Sequence, residues 1–311
     1  MKNIDIKVMV ADKVIAMADT ILDKASKGER GNVRLPWNVT RSGWPCNWNG
    51  IPYRGANVII LSMAAMASGY DSNVWLTYKK VNELGGTVRK GEHSTYILFW
   101  KTNKYTDRDA DTGEETTRTI PILRYYKVFN LDQTEGVRLP KKVATLIETN
   151  ERSDLESVDE AEAILATYLA RDDAPTFREG GDRAFYSPSL DGICIPRRET
   201  YDAIERFYAT AYHEVAHSTG HKSRLNRDGN MEPHFGDALY GAEELVAQMS
   251  AGMLCGIAGI DNEDTEEFDI EYLTNWTAAI KANKAMLVDA AGKAQRAIDY
   301  ILGTEWDTAD A

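Results

Sequence analysis

The five residues HEVAH, His213 to His217, constrain this 311-residue chain more than any other feature, because their chemistry works only on a helix. Histidines four apart project from the same helical face, where their ring nitrogens can meet one metal ion. Glu214, beside the first histidine, is then placed as general base toward a metal-bound water. Zinc lowers the pKa of such a water to about 7. The motif falls near the end of a helix expected over residues 200–219 and stopped by Gly220.

Two histidines and a water leave one protein ligand to find. Completion by a histidine six residues beyond His217 fails, because that position is Ser223. His221 continues the row only if the helix runs through Gly220, and His234 lies in a loop, EPHFGD. The stretch GAEELVAQMSAGML, part of a second helix expected over 241–257, offers Glu243 and Glu244. A glutamate on a downstream helix completes one large class of HExxH sites. Glu244 has Gln248 four residues on, a polar group able to orient the first histidine, whereas Glu243 has Ala247. Glu244 is therefore the expected third ligand, although an acidic pair also suits a solvated helix N-terminus. Such a gluzincin-like donor set takes Zn2+, and His with carboxylate also accepts Mn2+.

Charge divides the chain unevenly. The net charge is −12, yet residues 31–105 carry nine Lys or Arg against three acids, leaving about −18 for the remainder. That asymmetry fits a polyanion-binding module joined to an acidic one. Five of the seven tryptophans lie in the basic window. Rings and cations at Trp37, Arg41, Trp48, Tyr53, Arg54, Trp75, Lys79, Lys80, Arg89 and Lys90 suit single-stranded nucleic acid, bases stacking on rings while cations track phosphates. An ordinary core with a solvated basic face fits the composition equally. No motif for sequence-specific reading of duplex DNA is present.

The remaining pattern is of an α+β chain. Apolar residues at helical spacing from Ile6 to Ile21 predict an opening amphipathic helix, and 57–67 reads as a buried one. Residues 77–84 read as a third, with TYILFWK and ILRYYKVFNL as strands around a polar, acidic hairpin excursion. Residues 140–159 read as a linker grading into a helix over 159–170, and AFYSPSLDGICIP as two short strands, with Phe185-Tyr186 and Ile193-Cys194-Ile195 both available to supply an edge strand over the cleft. Residues 271–302 carry one apolar stripe that Asn283 interrupts. The expected division is a domain over 1–140, a linker over 141–158, and a mainly helical domain with a small sheet over 159–311. Cys46, Cys194 and Cys255 form no CxxC pair, so reduced cytoplasmic thiols are expected. No signal peptide and no membrane-spanning stretch is expected either.

The segment GWPCNWNGIPYRGANVIILSMAAMASGYDSNVWLTYKKVNELGGTVRKGEHSTYILFWK, closing with YYKVFNLDQTEG, resembles the N-terminal domain of ArdC-type antirestriction proteins. FYATAYHEVAHSTGHKSRLNR, FGDALYGAEELVAQMSAGMLCGIAGI and the tail from Asn275 to Leu302 are similar to that family's metallopeptidase domain. The resemblance implies an N-terminal α+β domain that binds single-stranded DNA, followed by a zincin-like domain. It also implies protection of incoming plasmid or phage DNA from host restriction. Carried over by residue, His213, His217 and one of the EEL glutamates are the metal ligands and Glu214 the catalytic acid/base. One departure stands out: the family often reads EELVAE, and here Gln248 replaces the last Glu. Two other readings fit the same residues: a dedicated peptidase whose N-terminal domain recruits a host protein substrate, and a DNA-shielding protein with a vestigial protease fold.

Overall fold

The computed structural model describes residues 2–28, 44–108, 115–148, 154–227, 238–260 and 266–304. It opens with helix α1 (Asn3–Ser26), whose Ile6, Val10, Val14, Ile15, Ala18 and Ile21 form the buried stripe that their spacing predicts. A two-residue strand β1 (Cys46–Asn47) precedes α2 (Ala56–Ser68). Helix α2 is apolar almost all round and is accordingly buried, and Gly69 closes it in the left-handed conformation at φ 72°. Then come β2 (Val74–Thr77), α3 (Tyr78–Glu83) and β3 (Thr87–Val88). Thr77 caps α3 by accepting from the Lys80 amide.

Strands β4 (Thr95–Arg108) and β5 (Glu115–Asn130) pair antiparallel over the whole of β4, from Thr95 opposite Val128 to Arg108 opposite Glu115. The acidic excursion expected between two short strands is thus largely strand itself. The four-stranded sheet runs β1-β2-β5-β4, with β2 meeting β5 only at residues 128–130. Beyond that contact the hairpin continues as an arm, with residues 115–121 of β5 all exposed. Pro121 sits in this arm, where β5 has no second strand beside it among the described residues, as a residue without an N–H requires. Asn3 of α1 covers the same edge, donating to the Pro121 carbonyl and accepting from the Leu123 amide. A short β6 (Thr134–Glu135) pairs with β3. Gly86 is obligatory there: a Cβ would lie 2.7 Å from the Glu135 carbonyl oxygen and collide with Val137.

Helix α4 (Lys141–Glu148) lies within the stretch read as linker, with Val143 buried against Val74, Leu76 and Val81. Next are α5 (Asp154–Leu169), β7 (Thr176–Glu179), β8 (Phe185–Ser187) and β9 (Gly192–Ile195). The last three form a sheet in the order β7-β9-β8, so β8 is an edge strand. Strand β7 has no apolar alternation to announce it; parallel pairing with β9 makes it a strand. Helices α6 (Ile204–Ser218) and α7 (Ala238–Ala258) carry HEVAH and the EEL glutamates. Helices α8 (Glu266–Ala282) and α9 (Met286–Leu302) replace the single C-terminal helix suggested by the stripe. The break has a simple cause. After buried Ile280, the next inward positions of an unbroken helix would be Asn283 and Lys284, and Lys284 instead reaches Asp12 of α1 at 2.6 Å.

One apolar cluster joins side chains of α1 and α2 to those of α5, α6, α7, α8 and α9. Arg54 reinforces it by pairing with Asp299 on α9 at 2.6 Å, and the Gly55 amide donates to Gln295 at 2.8 Å. No described helix is long and apolar enough to cross a membrane.

Candidate metal centre

Helix α6 is amphipathic. Phe207, Tyr208, Ala211, Tyr212 and Val215 face the core, and that orientation turns His213 and His217 toward α7. The two Nε2 atoms lie 3.1 Å apart, with ring planes 81° from parallel. Glu244 closes the triangle, Oε2 lying 3.5 Å from His213 Nε2 and Oε1 3.3 Å from His217 Nε2. Bonds of about 2.0–2.1 Å around a tetrahedral ion put neighbouring donor atoms about 3.3 Å apart. The three separations match that edge to within a few tenths of an ångström, so the donor set fits a zinc-sized cation. Among the described residues, these three form the only cluster of His, Cys, Asp or Glu with that capacity.

Glu243, the alternative third ligand, points elsewhere. Its carboxylate accepts from buried Arg227, Nε lying 3.1 Å away, and comes within 3.7 Å of His217 Nδ1. Arg227 also donates to the Ala216 carbonyl at 2.8 Å and to Thr219, tying the C-terminal end of α6 to α7. Burial alone would push the His217 imidazole pKa down; hydrogen bonds to Glu243 and Glu244 outweigh it and raise the value to about 9 in the metal-free side chains. Burial opposes ionisation of both glutamates as well, yet hydrogen bonding to the histidines, and to Arg227 for Glu243, holds both pKa values below the ordinary range. Gln248, the orienting group that helical spacing suggests, hydrogen-bonds neither histidine. The residue that spacing misses is Arg227, whose partner is remote in sequence.

Glu214 is 7% exposed, and burial raises its pKa above the ordinary carboxylate value. Strand β8 packs against α6, which brings the edge strand beside the centre, and the Tyr186 backbone acts on Glu214 to lower its pKa, though less than burial raises it. His221 turns away, its Nδ1 2.7 Å from Ser223 Oγ, and does not join the cluster.

The basic window is less uniform than its composition. Trp37, Arg41 and His234 lie outside the described residues. Trp75 is corrected outright: at 1% exposure it is core, packed with Leu61, Ala64 and Val128 and edge-on to Tyr70, so no base can reach it. Tyr53 is half-buried beside the same cluster, and Arg54 is committed to Asp299. Trp48 is half-buried beneath the Lys80 ammonium, 4.2 Å from its ring centre. Lys79 and Lys90 are exposed; Arg89 bonds to Glu92 and the Asp132 carbonyl.

Two protein families match the chain. One is the N-terminal domain of anti-restriction factor ArdC, over residues 11–129; the other is a zincin-like metallopeptidase, over residues 160–293. An uncharacterized protein, y4eC, of Sinorhizobium fredii (strain NBRC 101917 / NGR234) is 32% identical over 281 residues, covering 88% of this chain and 86% of that one. The DNA primase TraC of Escherichia coli is 33% identical over 288 residues, but the match takes in only 18% of the primase. Two crystal structures of antirestriction ArdC protein from the R388 plasmid are similar throughout. The metal-free one shares 33% identity at a TM-score of 0.63, covering 96% of this chain and 98% of that one. The Mn(II)-bound one shares 32% at 0.64, covering 94% and 97%.

Proposed function

The chain belongs to the ArdC antirestriction family, and from that premise we propose that it binds single-stranded DNA, holds a divalent cation, and protects incoming plasmid or phage DNA in the cytoplasm of a new host. The observation that carries the metal half is the His213–His217–Glu244 triangle, whose edges suit one tetrahedral ion. The zincin-like domain implies zinc; the Mn(II)-bound relative from R388 supports manganese as a second occupant. When bound, the cation supplies a Lewis acid and a nucleophilic water at neutral pH.

The chain's own groups do the rest. His213, His217 and Glu244 hold the donors in place from two helices already packed together. Glu214 takes up a proton from water on its carboxylate and passes it to the leaving group, the role of a general base and then a general acid. The edge strand β8 offers backbone groups to an extended peptide, which supports peptide hydrolysis as the reaction class. For DNA, the support is the +6 charge of residues 31–105 in a chain of net −12, with Trp48, Lys79, Lys80, Arg89 and Lys90 as candidate contacts.

Glu214→Ala separates the readings, assayed by how efficiently unmodified plasmid DNA establishes in a restricting host. Lost protection with single-stranded DNA affinity intact supports a hydrolytic contribution. Unchanged protection makes hydrolysis dispensable, the protein a DNA shield and its metal site structural. Affinity that is absent, or insensitive to salt, overturns the DNA half.

A further inference from the structure

The β4–β5 arm carries a pattern that the tryptophan-rich window does not. In an antiparallel pair, residues directly opposite each other share a face, and so do every second residue along each strand. The register of the pair therefore places Phe99 opposite Arg124 and Tyr105 opposite Arg118 on one face, with Lys101 between them and Tyr126 at the base. Phe99 and Tyr126 meet edge to face at 6.1 Å. Tyr126 is 52% and Tyr105 46% exposed, and Lys101, Arg118 and Arg124 are exposed. Exposed rings grouped on one face in this way mark an interaction surface more often than singly scattered ones do.

Two further observations favour one occupant. No Asp or Glu occurs in residues 95–106 or 116–130, although the chain is strongly acidic overall, so this stem is a cationic strip suited to a polyanion. The opposite face is closed at its base, because Leu98 and Leu123 are buried in the main core. A strand of nucleic acid following that face would run into the helices, whereas the face bearing Phe99 and Tyr126 is open along the arm.

We propose that the face formed by Phe99, Lys101, Tyr105, Arg118, Arg124 and Tyr126 is the track on which single-stranded DNA lies, bases stacking on the rings and phosphates meeting the cations. From Tyr126 to Arg118 the track spans nine residues of β5, eight rises of roughly 3.3 Å or about 26 Å. That suits a site at the small end of the known range, about four nucleotides and upward. This assignment rests on the single-stranded-DNA reading above and gives it a location. Pairing of the arm with a second copy of the chain is the competing use; Asn3 already covers part of the β5 edge that such pairing needs.

The test is fluorescence anisotropy of a labelled oligothymidylate with the full-length protein, over a series of salt concentrations. Tyr126→Ala and Tyr105→Ala each lower affinity about five- to a hundredfold, while Tyr126→Phe keeps it. Arg124→Gln with Arg118→Gln reduces the salt slope by about 0.7 for each phosphate no longer neutralised. Trp100→Ala, on the other face, is the matched control and leaves affinity within about twofold. No binding by the wild type overturns the DNA reading and the track together. Wild-type binding that survives the tyrosine variants but falls with Lys79, Lys80, Arg89 and Lys90 neutralised overturns the track alone. So does a change in oligomeric state, by light scattering, with DNA affinity unaltered. Circular dichroism melts of each variant confirm that these exposed substitutions leave the fold intact.

Discussion

Replacing Arg227 with Met tests whether the pairing of α6 with α7 depends on charge rather than on apolar packing alone. The Arg227 side chain is 4% exposed and that of Glu243 is 14%, so their ion pair is screened little by solvent. Removing one partner of a buried pair costs about 3–5 kcal/mol when the other charge is left alone; here the His217 imidazole also pairs with Glu243, which places the expected loss toward the lower end. The variant also frees the Ala216 carbonyl and the Thr219 hydroxyl that Arg227 engages. Chelator is included throughout, so that metal binding does not contribute to the apparent stability. Urea unfolding is followed by circular dichroism and tryptophan fluorescence, and coincident transitions license a free energy. The double variant Arg227→Met with Glu243→Gln removes the orphaned charge, and it should lose well under the sum of the two single costs. A loss below about 1 kcal/mol in Arg227→Met, or strict additivity in the double variant, refutes the reasoning.

Other outcomes follow from the same geometry. Gly86→Ala forces a Cβ against Glu135 and Val137 in the β3–β6 pair, and should destabilise by about 1–3 kcal/mol in the same unfolding assay. Asp191 pairs with Arg224 at 3.0 Å and accepts from Tyr186. Burial acts to raise its pKa, but those hydrogen bonds outweigh it and hold the value below the ordinary 3.8. A pKa lowered by folding gives stability that is present above about pH 4 and lost as pH falls through the folded value. The stability gap between wild type and Asp191→Asn should therefore be full at neutral pH and shrink below pH 4. Glu243→Gln should weaken metal binding about ten- to a hundredfold without abolishing it, because it alters the group beside His217 Nδ1 and leaves His213, His217 and Glu244 in place; titration calorimetry reads this directly.

The parts legible in the sequence are those whose partners are near one another along the chain. HEVAH sets its own face within one helix, and α1 and α2 announce themselves by periodicity. The strands β4 and β5 are legible as strands, but the register that puts Phe99 opposite Arg124 comes only from pairing. The signal is nonetheless present in part, as Phe99, Lys101 and Tyr105 on one strand and Arg118, Arg124 and Tyr126 on the other keep one alternation, with Asn103, Ile120 and Ile122 between them. Composition misleads at Trp75, because an aromatic in a basic window reads the same whether its ring faces solvent or core. Arg54 misleads likewise, since its partner Asp299 lies 245 residues away. Gln248 is selected by an i+4 rule that holds within one helix, whereas the group beside His217 is Glu243, fixed by Arg227 from another segment.

The measurement that bears most directly on the account is metal content. Wild type, Glu244→Ala, Glu243→Gln and Glu214→Ala are purified, loaded with Zn2+, passed through a desalting column, and analysed by plasma mass spectrometry. The account predicts about one ion per chain in the wild type and in Glu214→Ala, reduced retention in Glu243→Gln, and almost none in Glu244→Ala. Wild-type loading in Glu244→Ala would contradict it, because the His213–His217–Glu244 triangle would then not be what holds the ion.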